Sequence, residues 1–172
     1  HALEYVHNKA YRDQSLAAYI EKKQPAPVYA LREHPRFEKT TAFAGYREPL
    51  AVIFEDTSCA DCAGFHEKVL NHPGVLAELK PFRVVRLDAH ADTPITDLAG
   101  VRTTARAWAE SLGLTYRPGV VLFNEGKEAA RVEGRFYHYH FKEMLRFVSG
   151  RHYQRYDLFG AYLSDRQAEL LR

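Results

Sequence analysis

The run Leu50-Ala51-Val52-Ile53-Phe54 constrains this chain more than any other stretch. Five consecutive apolar residues, followed by the polar turn Asp56-Thr57-Ser58, predict a short strand buried on both faces. Such a strand lies inside a sheet that must be covered above and below. The segments that follow supply the cover. A helix is predicted from Cys59 to about Asn71, with Phe65, Val69 and Leu70 facing inward and Pro73-Gly74 as its punctuation. A short helix Val75 to Leu79 then leads past Pro81 to a second strand, Phe82 to Leu87. Thr103 or Thr104 caps a helix to Leu112, whose Ala105, Trp108, Ala109 and Leu112 form one apolar stripe, and Gly113 ends it.

The second half closes the sheet. Gly119 to Phe123 reads as a strand, the turn Asn124-Glu125-Gly126-Lys127 reverses the chain, and Glu128 to Glu133 returns antiparallel. A last core helix, His138 to Ser149, presents Phe141, Met144, Leu145 and Val148. Strands that alternate with helices require a parallel pair with a crossover, and the hairpin adds antiparallel strands. The expected fold is therefore α/β, a central mixed β-sheet flanked by helices.

Outside this core, residues 1–48 form an N-terminal extension, residues 49–150 the sheet domain and residues 151–172 a C-terminal helical tail. The extension is expected to hold a helix from Asn8 to Lys23, stopped by Pro25-Ala26-Pro27, and a short helix from Tyr29 to Glu33. The tail carries an amphipathic segment, Leu158 to Leu171, and its Tyr153, Tyr156, Phe159 and Tyr162 are expected to pack back on the domain. With 172 residues and a formal net charge of +2, basic side chains interleaved with acids describe a solvated surface and no nucleic-acid partner. No apolar run approaches the ~20 residues that would span a bilayer. No signal-peptide core is visible either, and the start at His1 leaves location open.

The only two cysteines, Cys59 and Cys62, sit where the buried strand gives way to a helix. A bridge between residues three apart closes too small a loop to act as a structural staple. At a helix N-terminus, unpaired N–H groups favour a thiolate, which suits Cys59 as a nucleophile. Cys62, one turn further in, is placed to resolve a mixed disulfide. Asp61 between them disfavours a thiolate, which leans the pair toward reducing chemistry. A metal reading, copper or zinc, would recruit His66 and His72 beside the cysteines, although all four fall on or near one helix rather than on two separate loops.

Taken with the segment GLTYRPGVVLFNEGKEAARVEG, Gly113 to Gly134, these features resemble the thioredoxin superfamily over about Leu50 to Ser149. Cys59-Ala60-Asp61-Cys62 stands at the family's active-site position, Pro118 at its cis-proline position and Gly134 at the glycine after its last strand. The resemblance implies a thioredoxin-like fold and a thiol–disulfide oxidoreductase whose working group is the Cys59–Cys62 disulfide, with no further cofactor and no metal. It also implies that Arg117 and Pro118 present backbone edges to an extended substrate. Where the best-known thioredoxins keep a buried aspartate for proton transfer, this chain has Ile53. Glu55 is an alternative proton acceptor for Cys62, or a surface carboxylate. Arg117 before the proline could favour the Cys59 thiolate and offset Asp61.

The run Cys59 to Ala89 is similar to the periplasmic branch that includes the SoxW-type thioredoxin-like proteins. That similarity implies an extracytoplasmic location. The expected substrate is a partner protein's disulfide or a small thiol-derived one, and the expected electron donor a membrane thiol reductase. The alternatives are the metal-binding module and a non-catalytic interaction module on the same fold.

Overall fold

The structure is a computed structural model and describes residues 2–22 and 28–171. Four strands form the central sheet: β1 (Leu50–Glu55), β2 (Arg83–Asp88), β5 (Gly119–Asn124) and β6 (Lys127–Glu133), in the order β2-β1-β5-β6. β1 and β2 run parallel, and β5 is antiparallel to both β1 and β6. The mixed sheet expected from the sequence is thus present. Two short strands that the sequence reading missed, β3 (Pro94–Thr96) and β4 (Arg102–Thr104), pair as a separate hairpin.

The alternation of side chains along β1 sets the two halves of the core. Ala51 and Ile53 face a cluster that contains Phe65, Val69, Leu70, Phe141, Leu145 and Tyr162. Leu50, Val52 and Phe54 face the opposite cluster, with Phe43, Trp108 and Phe123. The first face is covered by α3 (Cys62–Phe65), α4 (Pro73–Glu78), α6 (His138–Ser149) and α7 (Phe159–Leu170), the second by α5 (Ala105–Ser111). α5 starts where Thr104 accepts a hydrogen bond from the Ala107 N–H at 3.2 Å, as its capping position requires. The tail packs as expected: Tyr162 is buried, and Tyr153, Tyr156 and Phe159 lie against the same cluster.

The helix that carries the cysteines departs from expectation. It begins at Cys62 rather than Cys59, because Asp56 draws the preceding residues into a tight turn. Its C-terminal half, His66–Leu70, widens to a π-type turn in which the Asn71 N–H reaches the His66 carbonyl at 3.1 Å. α4 starts at Pro73, since the proline tolerated in a first turn is here the first helical residue, with His72 accepting from the Gly74 N–H.

The lead segment is not one helix. It divides into α1 (Ala2–His7), a single 3₁₀ turn Ala10–Arg12 and α2 (Leu16–Lys22), with Lys9 left-handed at φ 54° and the Ser15 hydroxyl capping α2 by accepting from the Ala18 N–H. The predicted stop at Pro25-Ala26-Pro27 lies outside the described residues. Tyr29 to Glu33 has no regular secondary structure rather than a helix: the Tyr29 N–H donates to the Thr57 carbonyl at 2.7 Å, and Arg86 donates to the carbonyl of Arg32. Among the described residues no helix is long and apolar enough to cross a membrane.

Candidate active site

The turn before the cysteines is organised by Asp56, a residue at the end of β1 with only 3% of its surface exposed. Its Oδ1 accepts from both the backbone N–H and the hydroxyl of Ser58, and its carbonyl accepts from the Cys59 N–H at 3.2 Å. This arrangement keeps Cys59 out of the helix and on the turn, while Cys62 becomes the first helical residue. The two sulfurs are joined in a disulfide, with Cα atoms 5.5 Å apart. Both residues are largely covered, at 5% and 9% exposure.

Asp56 also reaches the loop that carries the proline. Arg117 Nε lies 3.1 Å from Asp56 Oδ2, as a charge contact rather than an aligned hydrogen bond, and His90 Nε2 lies 3.6 Å from the same oxygen. Burial opposes ionisation of Asp56. The hydrogen bonds from Ser58 and the charges of His90 and Arg117 outweigh it, and hold the carboxyl below its usual range. The Arg117–Pro118 peptide bond is cis. Its loop is fastened a second time by Glu133, whose Oε2 accepts from the N–H groups of Thr115 and Tyr116 at 2.7 and 2.9 Å. Burial of Glu133 works against its charge, and these two bonds prevail to lower its pKa. The Gly134 N–H donates to the Pro118 carbonyl at 2.9 Å, so the glycine after the last strand also holds the proline loop.

Of the other residues singled out in the sequence, Asp61 is half-exposed and paired with Arg135 at 2.7 Å, so its negative charge beside the sulfurs is partly balanced. The charge of Arg117 is directed at Asp56, which weakens the expectation that it acts on Cys59. Glu55 is not a surface carboxylate: it is fully buried, with Oε1 2.8 Å from His66 Nε2. The four residues of the metal reading do not converge as ligands. The cysteines are bonded to each other, His66 is bonded to Glu55, and His72 caps α4 while its ring stacks on His138.

A family model described as a thioredoxin-like domain matches residues 37–149. The chain belongs to the thioredoxin-like family. Among solved structures, a thioredoxin-fold protein from Helicobacter pylori is 16% identical with a TM-score of 0.61, over 69% of this chain and 79% of that one. The periplasmic thioredoxin SoxS from Paracoccus pantotrophus, in reduced form, is 23% identical with a TM-score of 0.43, over 60% and 97%. The reduced C-terminal domain of DsbD from Neisseria meningitidis is 19% identical with a TM-score of 0.45, over 59% and 80%. No curated protein matches the chain.

With a thioredoxin-like domain and its C-x-x-C pair joined as a disulfide, the protein is a thiol–disulfide oxidoreductase. Reading the thioredoxin-like sequence alone missed Asp56 and Glu133 as the residues that fasten the cysteine turn and the proline loop. Both are carboxylates at strand ends, and only the folded chain brings their partners to them.

Proposed function

We propose that this protein reduces a disulfide on a specific partner through a dithiol/disulfide cycle at Cys59 and Cys62. The observation that carries this reading is the disulfide at the tip of the helix, tied through Asp56 to the cis Arg117–Pro118 loop. In the reduced form the Cys59 thiolate attacks the substrate disulfide. A Cys59–substrate bond forms, and one substrate thiolate leaves. Cys62 then attacks the Cys59 sulfur, forms the intramolecular disulfide and expels the second substrate thiolate. Two electrons pass from the cysteine pair to the substrate. The backbone of Arg117 and Pro118 presents its edge to an extended substrate segment, by strand addition.

Asp61 within the pair favours donation of electrons, and its pairing with Arg135 moderates that bias. Re-reduction requires an external dithiol, for which a membrane thiol reductase is the proposed donor. The similarity of Cys59 to Ala89 to the periplasmic branch supports an extracytoplasmic setting. A Cys62→Ser variant provides the test. Exposed in reduced form to an extract of its own cell, it should accumulate a mixed disulfide through Cys59 with one or a few proteins. A variant that captures nothing, or captures equally through a Cys59→Ser control, contradicts a specific protein substrate.

A further inference from the structure

Asp61, Gly64, Phe65 and Lys68 stand at the three- and four-residue steps that put side chains on one face of a helix. The stripe starts between the two cysteines and leads away from them. With Arg135 and Phe136, which follow β6, it lines a cavity of about 380 Å³, the size of a small-ligand pocket. The cavity adjoins the proline loop, because Gly134 in its wall is the residue whose N–H donates to the Pro118 carbonyl.

Floor and rim differ in chemistry. Phe65 and Val69 are 5% and 4% exposed, and Phe136 packs on Phe65 with ring centroids 5.3 Å apart, so the floor is apolar. The rim carries Asp61, Lys68 and Arg135. Asp61 and Arg135 pair at 2.7 Å and balance each other. The Lys68 side chain is exposed and has no partner among the described residues; its neighbour Glu67 is taken by Arg32 at 2.7 Å. His138, also at the cavity, is stacked on His72 with rings 3.9 Å apart. An apolar floor beside one unbalanced cation suits a large apolar group accompanied by a carboxylate, and opposes a basic one.

We propose that this cavity is the specificity pocket of the exchange site, taking from the substrate protein an aromatic or large aliphatic side chain with an acidic residue beside it. The inference rests on the exchange reading above and names the substrate class for it. Helical rise places Phe65 ~6 Å and Lys68 ~10 Å beyond Asp61. An extended segment advances ~3.3 Å per residue. The apolar side chain therefore falls about two residues, and the carboxylate about three, from the half-cystine that Cys59 attacks. Lys68 acts in recognition and takes no part in the sulfur chemistry.

Gly64 offers a second handle on the cavity. It lies within the helix, and a Cβ there would meet no atom within 4 Å, so a leucine enters open space at the cavity wall.

The test uses symmetrical disulfides of short peptides that carry Phe-Asp, Ala-Asp or Phe-Lys two and three residues from the cysteine, on either side of it. Reduced protein is oxidised by each, and every second-order rate is divided by that of dithiothreitol with the same peptide, which removes the intrinsic reactivity of the disulfide. Phe-Asp should exceed Ala-Asp at least ~10-fold, as burial of a large apolar side chain implies. It should exceed Phe-Lys about 3–10-fold at low salt, the scale of an exposed charge pair made in one peptide and opposed in the other. In ~1 M salt the charge preference should fall below ~2-fold while the aromatic preference persists. Lys68→Glu should bring Phe-Asp level with Phe-Lys or below it, and Gly64→Leu should cut the preference for Phe over Ala to under ~3-fold. Each prediction is a ratio within one protein, so a general change in thiol reactivity does not imitate it. Equal relative rates for the three peptides overturn the proposal, as does a charge preference unmoved by Lys68→Glu or an aromatic preference unmoved by Gly64→Leu. If no peptide oxidises the reduced protein while dithiothreitol reduces them all, the exchange reading itself fails, and the pocket with it.

Discussion

Replacing Asp56 with asparagine isolates the charge that fastens the cysteine turn to the proline loop. The amide keeps an oxygen for the Ser58 N–H, bonded at 2.8 Å, but places a neutral group against Arg117 and His90, at 3.1 and 3.6 Å. Bonds to a buried charge contribute about 1.5–3 kcal/mol each. Stranding a buried partner would cost about 3–5 kcal/mol. The Arg117 side chain, 15% exposed, keeps contacts with the carbonyls of Leu114 and Tyr116, so the lower range applies. A loss of about 2 kcal/mol lowers the melting temperature of a chain this size by about 4–8 °C.

The pH dependence is fixed by sign. The folded Asp56 carboxyl is held below its usual range, so its stabilisation is complete above the unfolded value near pH ~4 and fades as pH falls through the folded one. Thermal unfolding of the oxidised protein and of Asp56→Asn should therefore differ most near neutrality and converge in acid. Equal melting temperatures at neutral pH, or a gap that persists unchanged at about pH 3, would refute the charge argument.

The C-terminal tail offers a parallel case. Glu143 is 1% exposed and faces Arg146, Lys142 and Arg166 at 2.9, 3.5 and 3.6 Å, with the Tyr162 hydroxyl at 3.3 Å. Glu143→Ala should cost about 1–3 kcal/mol in denaturant unfolding, because Lys142 and the Tyr162 hydroxyl lose this partner while Arg146 and Arg166 keep Glu78 and Glu169. An unchanged midpoint would count against the tail being anchored there. Burial, and after it the charge of Glu143, raises the Tyr162 phenol to about 12. In the alanine variant Tyr162 should ionise at lower pH, read from phenolate absorbance, yet remain above the ordinary ~10 because burial persists.

Much of this architecture is legible in the sequence, and the exceptions are instructive. The buried run of β1, the Thr104 cap and the reversal at Glu125-Gly126, both at positive φ, are local signals and appear where expected. The start of the cysteine helix is misplaced by sequence because the Asp56 side chain competes for the backbone groups of Ser58 and Cys59, and a turn prevails over a helix there. β3 and β4 are three residues each and carry too short a pattern to detect. The irregular segment Tyr29 to Glu33 answers to Thr57 and Arg86, partners distant in sequence. Glu55 and His66 are individually visible. Their pairing is readable from the parity of β1 and the four-residue step from Cys62, whereas the metal reading groups His66 with the cysteines instead.

The most direct test of the account is an equilibrium titration of the oxidised protein against a graded dithiothreitol or glutathione buffer, with free thiols counted by alkylation. Two thiols per chain, at Cys59 and Cys62, should appear together in one reversible transition, and neither the Cys59→Ser nor the Cys62→Ser variant should show it. A disulfide that cannot be opened without unfolding the protein, or thiols that do not re-form the bond on return to oxidising buffer, would contradict a working redox pair.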